Sequence, residues 1–139
     1  MKNGILFLCV ANSARSQMAE GWARSMLPSG IPVYSAGSNP SRLNPFAVRA
    51  MREVDVDIGA HFSKSIPEVP AGKIGTVVTL CSDEVCPFYP GDATVHHVPF
   101  EDPAVAEGGD EERLNAFRRV RDQIHDWLQE FLKENFDQE

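Results

Sequence analysis

Residues 5–16 read ILFLCVANSARS, and two readings compete for them. Lys2, an apolar run and small residues sketch the charged, apolar and cleavage regions of a secretion signal. The same letters fit a buried strand that delivers Cys9 and Arg15 to a loop. The run from Ile5 to Ala11 is seven residues long, the minimum for the apolar part of a signal, and far short of the roughly 18 residues that span a membrane. A central strand covered on both faces is apolar at nearly every position, as Ile5 to Cys9 is. The strand reading is therefore preferred, and no membrane partner is expected.

The rest of the chain supports it. Short apolar runs at Val33 to Ala36, Thr76 to Leu80 and Thr94 to Pro99 alternate with stretches of helical period, the pattern of parallel strands joined by helical crossovers. Ser16 to Leu27 places Met18, Ala19, Trp22, Ala23 and Met26 on one stripe. Asn44 and Pro45 form a cap and first-turn pair ahead of Ala47, Ala50, Met51 and Val54. Leu114, Phe117, Val120, Ile124, Trp127, Leu128 and Phe131 recur at spacings of three and four. Segments Ser35 to Pro45, Ser65 to Gly75 and Phe88 to Asp92 carry Pro and Gly and read as connections. With no repeat and no dividing linker, residues 1–139 are expected to form a single α/β domain around a four-stranded parallel sheet.

Composition narrows the function. The chain is 42% hydrophobic, enough at this length to bury roughly two-thirds of its unfolded surface without disulfides. Three cysteines, an odd number, suit a reducing cytoplasm better than a secreted disulfide framework. A net charge of −7 repels polyanions, and the densest basic cluster is Arg118, Arg119 and Arg121 on a helix, so nucleic acid is not expected as a partner.

The loop after the first strand lies at the carboxyl end of a parallel sheet, where open α/β folds bind ligands. Residues Val10, Ala11, Asn12, Ser13, Ala14, Arg15 and Ser16 are an oxyanion seat on this reading. Successive backbone N–H groups form a nest, the following helix adds its positive end, and Arg15 brings a planar fork of donors. Thiols placed beside an arginine at a helix N-terminus are nucleophilic at neutral pH, where ordinary thiols are mostly protonated. Cys9 is the candidate nucleophile, with the Ser16 hydroxyl pointing at its sulfur. The bland alternative makes Cys9 a small buried hydrophobe. Its position between an apolar strand and an amphipathic helix, with Asn12 and Ser13 inside the loop, favours chemistry.

FLCVANSARSQMAEG followed by VYSAG resembles the opening of low-molecular-weight protein tyrosine phosphatases and, more closely, of the arsenate reductases built on the same fold. The resemblance continues through LNPFAVRAMREVDVDI, TVVTLC, EDPA and RRVRDQI. It implies a three-layer domain with helices on both faces of the sheet. It also implies that Cys9 attacks a tetrahedral oxyanion held by Arg15 and the loop amides. Phosphatases then hydrolyse a Cys9 phosphocysteine. Reductases of the thioredoxin-coupled type reduce arsenate through a Cys9 adduct and a relay of Cys9, Cys81 and Cys86, as arsenic detoxification.

Three features favour the reductase. Cys81 follows the third strand as Cys9 closes the first, so both leave the same sheet edge. Cys86 completes CSDEVC; in a helix its sulfur would be about 7.5 Å along the axis from that of Cys81, so pairing requires local unwinding. Ala104 and Val105 stand after Asp102 and Pro103, where the phosphatases carry substrate-binding tyrosines. Asp102 is the implied general acid, with Glu101 its local competitor, and Asn12 the implied brace of the loop. His61, His96, His97 and His125 lack zinc-ligand spacing, and no metal or bound cofactor is expected. Some reductases hold potassium near positions matching Glu20 and Ser35. Lys64 replaces their aspartate, so no potassium dependence is expected. Ala11 replaces the family's usual loop glycine. The expected partners are arsenate, with phosphate or sulfate as analogues, and thioredoxin as reductant, in a cytoplasmic monomer. A binding or redox-sensing protein without turnover would not need both Arg15 and Asp102.

Overall fold

A computed structural model of the protein describes residues 2–82 and 87–136. Strand β1 (Gly4–Cys9) sits inside a four-stranded parallel sheet, between β2 (Val33–Gly37) and β3 (Ile74–Thr79), with β4 (Thr94–His97) beyond β3. All six β1 residues are buried, because alternate side chains enter two separate cores. Ile5 and Phe7 join Val33, Val78 and Leu80 on one face; Leu6 and Leu8 join Ala36, Ile74 and Val77 on the other.

Among the described residues the first face carries all three α-helices, α1 (Arg15–Met26), α2 (Pro45–Arg52) and α3 (Asp110–Asn135). The second face is covered by Val69 and Tyr89, with Ile66 of the 3-10 turn Ile66–Glu68 packed against them. Its helical cover is thus a single turn among the described residues. Pro70 explains why the turn goes no further: the Ile66 carbonyl already accepts from the Val69 N–H at 3.1 Å, and Pro70 has no N–H to return to the Pro67 carbonyl. Helix α2 starts as its sequence predicts: the Asn44 side chain accepts from the Phe46 N–H at 2.8 Å, and Pro45 supplies the first turn.

Strand boundaries differ from the apolar runs. The third strand covers Ile74–Thr79 in place of Thr76 to Leu80, and the fourth stops at His97 in place of Pro99. The chains nevertheless stay paired past those ends, through Val98 N–H to Thr79 O at 2.9 Å and Phe100 N–H to Leu80 O at 3.1 Å. Pro99, between them, has no donor to give. Opposite them, Cys9 pairs in register with Gly37 and Leu8 with Thr79. Everything that leaves this edge of the sheet therefore converges on the loop after β1. No helix among the described residues is long and apolar enough to cross a membrane.

The basic cluster on α3 is spent on internal pairs. Glu53, just past α2, accepts from Arg118 Nη2 at 2.6 Å and Arg121 Nη1 at 3.0 Å, while Arg121 also donates to the Ala50 carbonyl at 2.9 Å. Arg119 pairs with Glu101 at 3.1 Å. The Arg118 hydrogen bonds, first among the causes, hold the Glu53 carboxyl down to about 2 from an ordinary 4.5. A carboxylate depressed in the folded state stabilises the fold above its unfolded value and stops doing so as pH falls through its folded value. Acid unfolding should therefore steepen between about pH 5 and pH 2. The Glu53→Gln variant should be flatter in that window and, because Glu53 is partly exposed and screened, cost about 1 kcal/mol or less at neutral pH. Urea titrations at stepped pH would check both.

Candidate functional site

The loop from Val10 to Ser16 is wrapped by two segments that take up its outward carbonyls. Val10 O accepts from Asn39 N–H at 2.8 Å, Ala11 O from Ser41 N–H at 3.1 Å and Ser63 Oγ at 2.8 Å, and Ser13 O from Asn44 N–H at 2.9 Å. Gln17 Nε2 donates to Asn12 O at 3.1 Å. A trans peptide points its N–H opposite its C=O, so the N–H groups of Ala11, Asn12, Ser13 and Ala14 turn to the concave side. Helix α1 adds its own. Ala14 at the N-cap makes no side-chain cap and the first turn holds no acidic residue, leaving those donors to an anion.

Asn12 makes this curvature possible. It is fully buried with φ of +49°, a left-handed conformation that asparagine tolerates better than most residues. Ala11 is outside that region, so a Cβ is accommodated there without left-handed strain. The glycine the site does require is Gly37. A Cβ there would meet the carbonyl oxygen of Val10, with Asn12 N and Cys9 O both at 3.0 Å.

Cys9 Sγ lies 2.9 Å from Ser16 Oγ, and Asn12 Nδ2 donates to that hydroxyl at 2.8 Å. Arg15 is buried; its Nη1 donates to Phe100 O at 3.1 Å, and its Nη2 stands 3.7 Å from Asp102 Oδ2. Asp102 caps the short turn Pro103–Val105 by accepting from Ala104 N–H at 3.0 Å, and its side chain is 36% exposed. Its competitor Glu101 is taken by Arg119. Val105 is 72% exposed. Cys81 is fully buried, one residue past Leu80, whose N–H donates to Leu8 O at 2.9 Å. Cys86 lies outside the described residues.

Behind the loop, Ser35 Oγ donates to Glu20 Oε1 at 2.6 Å, and the Lys64 ammonium stands 3.2 Å from Ser35 O and 4.0 Å from Glu20 Oε1. Burial pushes the Lys64 amine down, against the pull of Glu20. A protein cation thus fills the place the sequence assigned to it. Among the described residues no three His, Cys, Asp or Glu side chains group as metal ligands would. Two contributors have no motif: Gln17, which ties Asn12 to the Phe62 carbonyl at 3.0 Å, and His61, whose Nδ1 meets Gln17 Oε1 at 3.0 Å.

The sequence profile of low molecular weight phosphotyrosine protein phosphatases matches residues 4–139. The chain belongs to that family. Within it the chain is 47% identical to an arsenate reductase of Oceanobacillus iheyensis over 134 residues, 95% of this chain and 96% of that protein. It is also 47% identical to an arsenate reductase of Bacillus subtilis over 136 residues, 96% and 98% of the two chains. A solved arsenate reductase in its phosphate-binding state superposes with a TM-score of 0.78 at 32% identity, covering 97% of this chain and 99% of that one. A thioredoxin-dependent arsenate reductase of Corynebacterium glutamicum reaches 0.62 at 27%, covering 94% and 62%.

Phosphate should raise the melting temperature of the parent protein, and Gly37→Ala, by pushing Val10 and Asn12 outward, should abolish that rise. A variant whose melting still rises with phosphate as the parent's does would contradict this placement.

Proposed function

We propose that this protein reduces arsenate to arsenite through a thiol adduct on Cys9, followed by a Cys9, Cys81 and Cys86 disulfide relay regenerated by thioredoxin in the cytoplasm. The observation that carries the reading is Cys81. A second buried cysteine stands where the chain leaves the strand next to β1, and hydrolysis of a phosphocysteine has no use for one. The names of the relatives at 47% identity support the substrate, and the Corynebacterium glutamicum protein supports the reductant.

In the first step the Cys9 thiolate attacks arsenic while Arg15 and the loop amides hold the remaining oxygens, and Asp102 protonates the departing hydroxide, which leaves as water. Cys81, as thiolate, then attacks the Cys9 sulfur. The sulfur–arsenic bond breaks with its electron pair going to arsenic, so arsenite leaves and a Cys9–Cys81 disulfide remains. Cys86 attacks Cys81 and frees Cys9, and thioredoxin reduces the resulting Cys81–Cys86 disulfide. Disulfide formation needs Cα atoms within about 7 Å and facing Cβ vectors, so Cys81 has to face Cys9 at that step of the cycle.

Arsenate-dependent NADPH oxidation with thioredoxin and its reductase tests this. Cys9→Ser, Cys81→Ser and Cys86→Ser should each abolish turnover, and Asp102→Asn should lower it by about 10²–10⁴-fold. Turnover surviving in both Cys81→Ser and Cys86→Ser would eliminate the relay. Aryl-phosphate hydrolysis without arsenate reduction would make the protein a phosphatase. Because the Lys64 ammonium occupies the cation position, rates in potassium and sodium salts of equal ionic strength should coincide.

A further inference from the structure

An arginine serves an oxyanion well only if its guanidinium plane is fixed, and the hold on Arg15 comes from a segment far along the chain. Its Nη1 donates to Phe100 O at 3.1 Å and stands 3.5 Å from Leu80 O. A guanidinium is a rigid planar fork, so tying one nitrogen to carbonyls aims the other donors. The aim is then as good as the placement of those carbonyls.

Leu80 O is fixed from the sheet, since it also accepts from the Phe100 N–H at 3.1 Å. That bond sets the peptide before Phe100. The Phe100 carbonyl belongs to the peptide after it, which turns about a separate single bond. This second peptide lies past the end of β4 and before the turn Pro103–Val105, so neither element fixes it. What flanks it is α3. The Phe100 ring meets Trp127 edge-on, with centroids 6.3 Å apart and planes at 70°. Trp127 stacks on Phe131 at 4.6 Å and 24°, and Phe131 meets His96 of β4 edge-on at 5.0 Å. On the other side of the peptide, Glu101 pairs with Arg119 at 3.1 Å. Both members of that pair are more than half exposed, and such pairs hold weakly. The rings pack against the main core, and aromatic pairs at these separations and angles add to what their buried area contributes. Of the two holds the aromatic one is the stronger.

We propose that Trp127 is a positioning residue for the oxyanion site: it holds the Phe100 ring, and with it the peptide whose carbonyl orients Arg15. The proposal rests on the reading of the loop after β1 as an oxyanion seat. Trp127 acts through Phe100 and not on the substrate itself.

The test measures inorganic phosphate binding to the full chain by calorimetry, at a temperature where circular dichroism shows each variant folded. Trp127→Ala should weaken phosphate binding by about twofold to tenfold, the effect of one ordinary hydrogen bond. Trp127→Phe, which keeps a ring against Phe100, should recover most of the affinity. Phe100→Leu keeps the carbonyl and loses the ring; it should weaken binding by a similar factor, and combined with Trp127→Ala by no more than either change alone. A merely structural tryptophan would lower the melting temperature and leave the affinity of the folded protein unchanged, and that result would overturn the proposal. So would losses that multiply in the double variant. If Trp127→Ala does not fold, Trp127→Leu replaces it with the same expectation. A parent that binds no phosphate would instead overturn the oxyanion seat itself, and this proposal with it.

Discussion

The site depends on one residue held in an unfavourable backbone conformation. Asn12 is left-handed and fully buried, and its side chain is tied on three sides, to Lys64 N–H, Gln17 Nε2 and Ser16 Oγ. Strain of this kind persists only where the surroundings over-determine it. Here the return is a tight loop whose carbonyls are engaged outside and whose N–H groups gather inside, an arrangement that costs no reorganisation when an anion arrives. A short side chain that both accepts and donates is needed at this position. Aspartate would lose the donation to Ser16, and glycine would lose all three ties.

The sheet supplies the second constraint. Because β1 is buried on both faces and paired on both edges, its last residue has little freedom, and a nucleophile is best placed on such an element. The neighbouring strand ends at almost the same level, so the chain that carries Cys81 emerges beside the loop. Arg15 is held from the same side by the Phe100 carbonyl, so the segments that follow β3 and β4 both report on the oxyanion seat.

Charge around the loop is settled internally. Glu20 is buried, yet Ser35, Arg24 at 2.8 Å and the more distant Lys64 surround it. A buried carboxylate without such company would be costly. On the far flank, Arg118, Arg119 and Arg121 are similarly matched to Glu53, Glu111, Glu101 and Asp122. That matching joins the end of α2 to α3.

Local sequence alone determined β1, the amphipathic α1 and α3, the Asn-Pro start of α2, and the pairing of Cys9 with Arg15 across a short loop. Periodicity, caps and turn residues act between near neighbours, so such features are legible without the fold. The surroundings of Glu101 and Asp102 were not, because Arg119 claims one carboxylate and Arg15 approaches the other only in the folded chain. Nor were the cover of the second sheet face among the described residues, the need for Gly37, or the contacts of Gln17 and His61. Asn12 and Lys64 are 52 positions apart, and Arg15 and Phe100 are 85. Only closure of the sheet brings such pairs within hydrogen-bond distance, and until it does, nothing in their own neighbourhoods distinguishes them from ordinary polar residues.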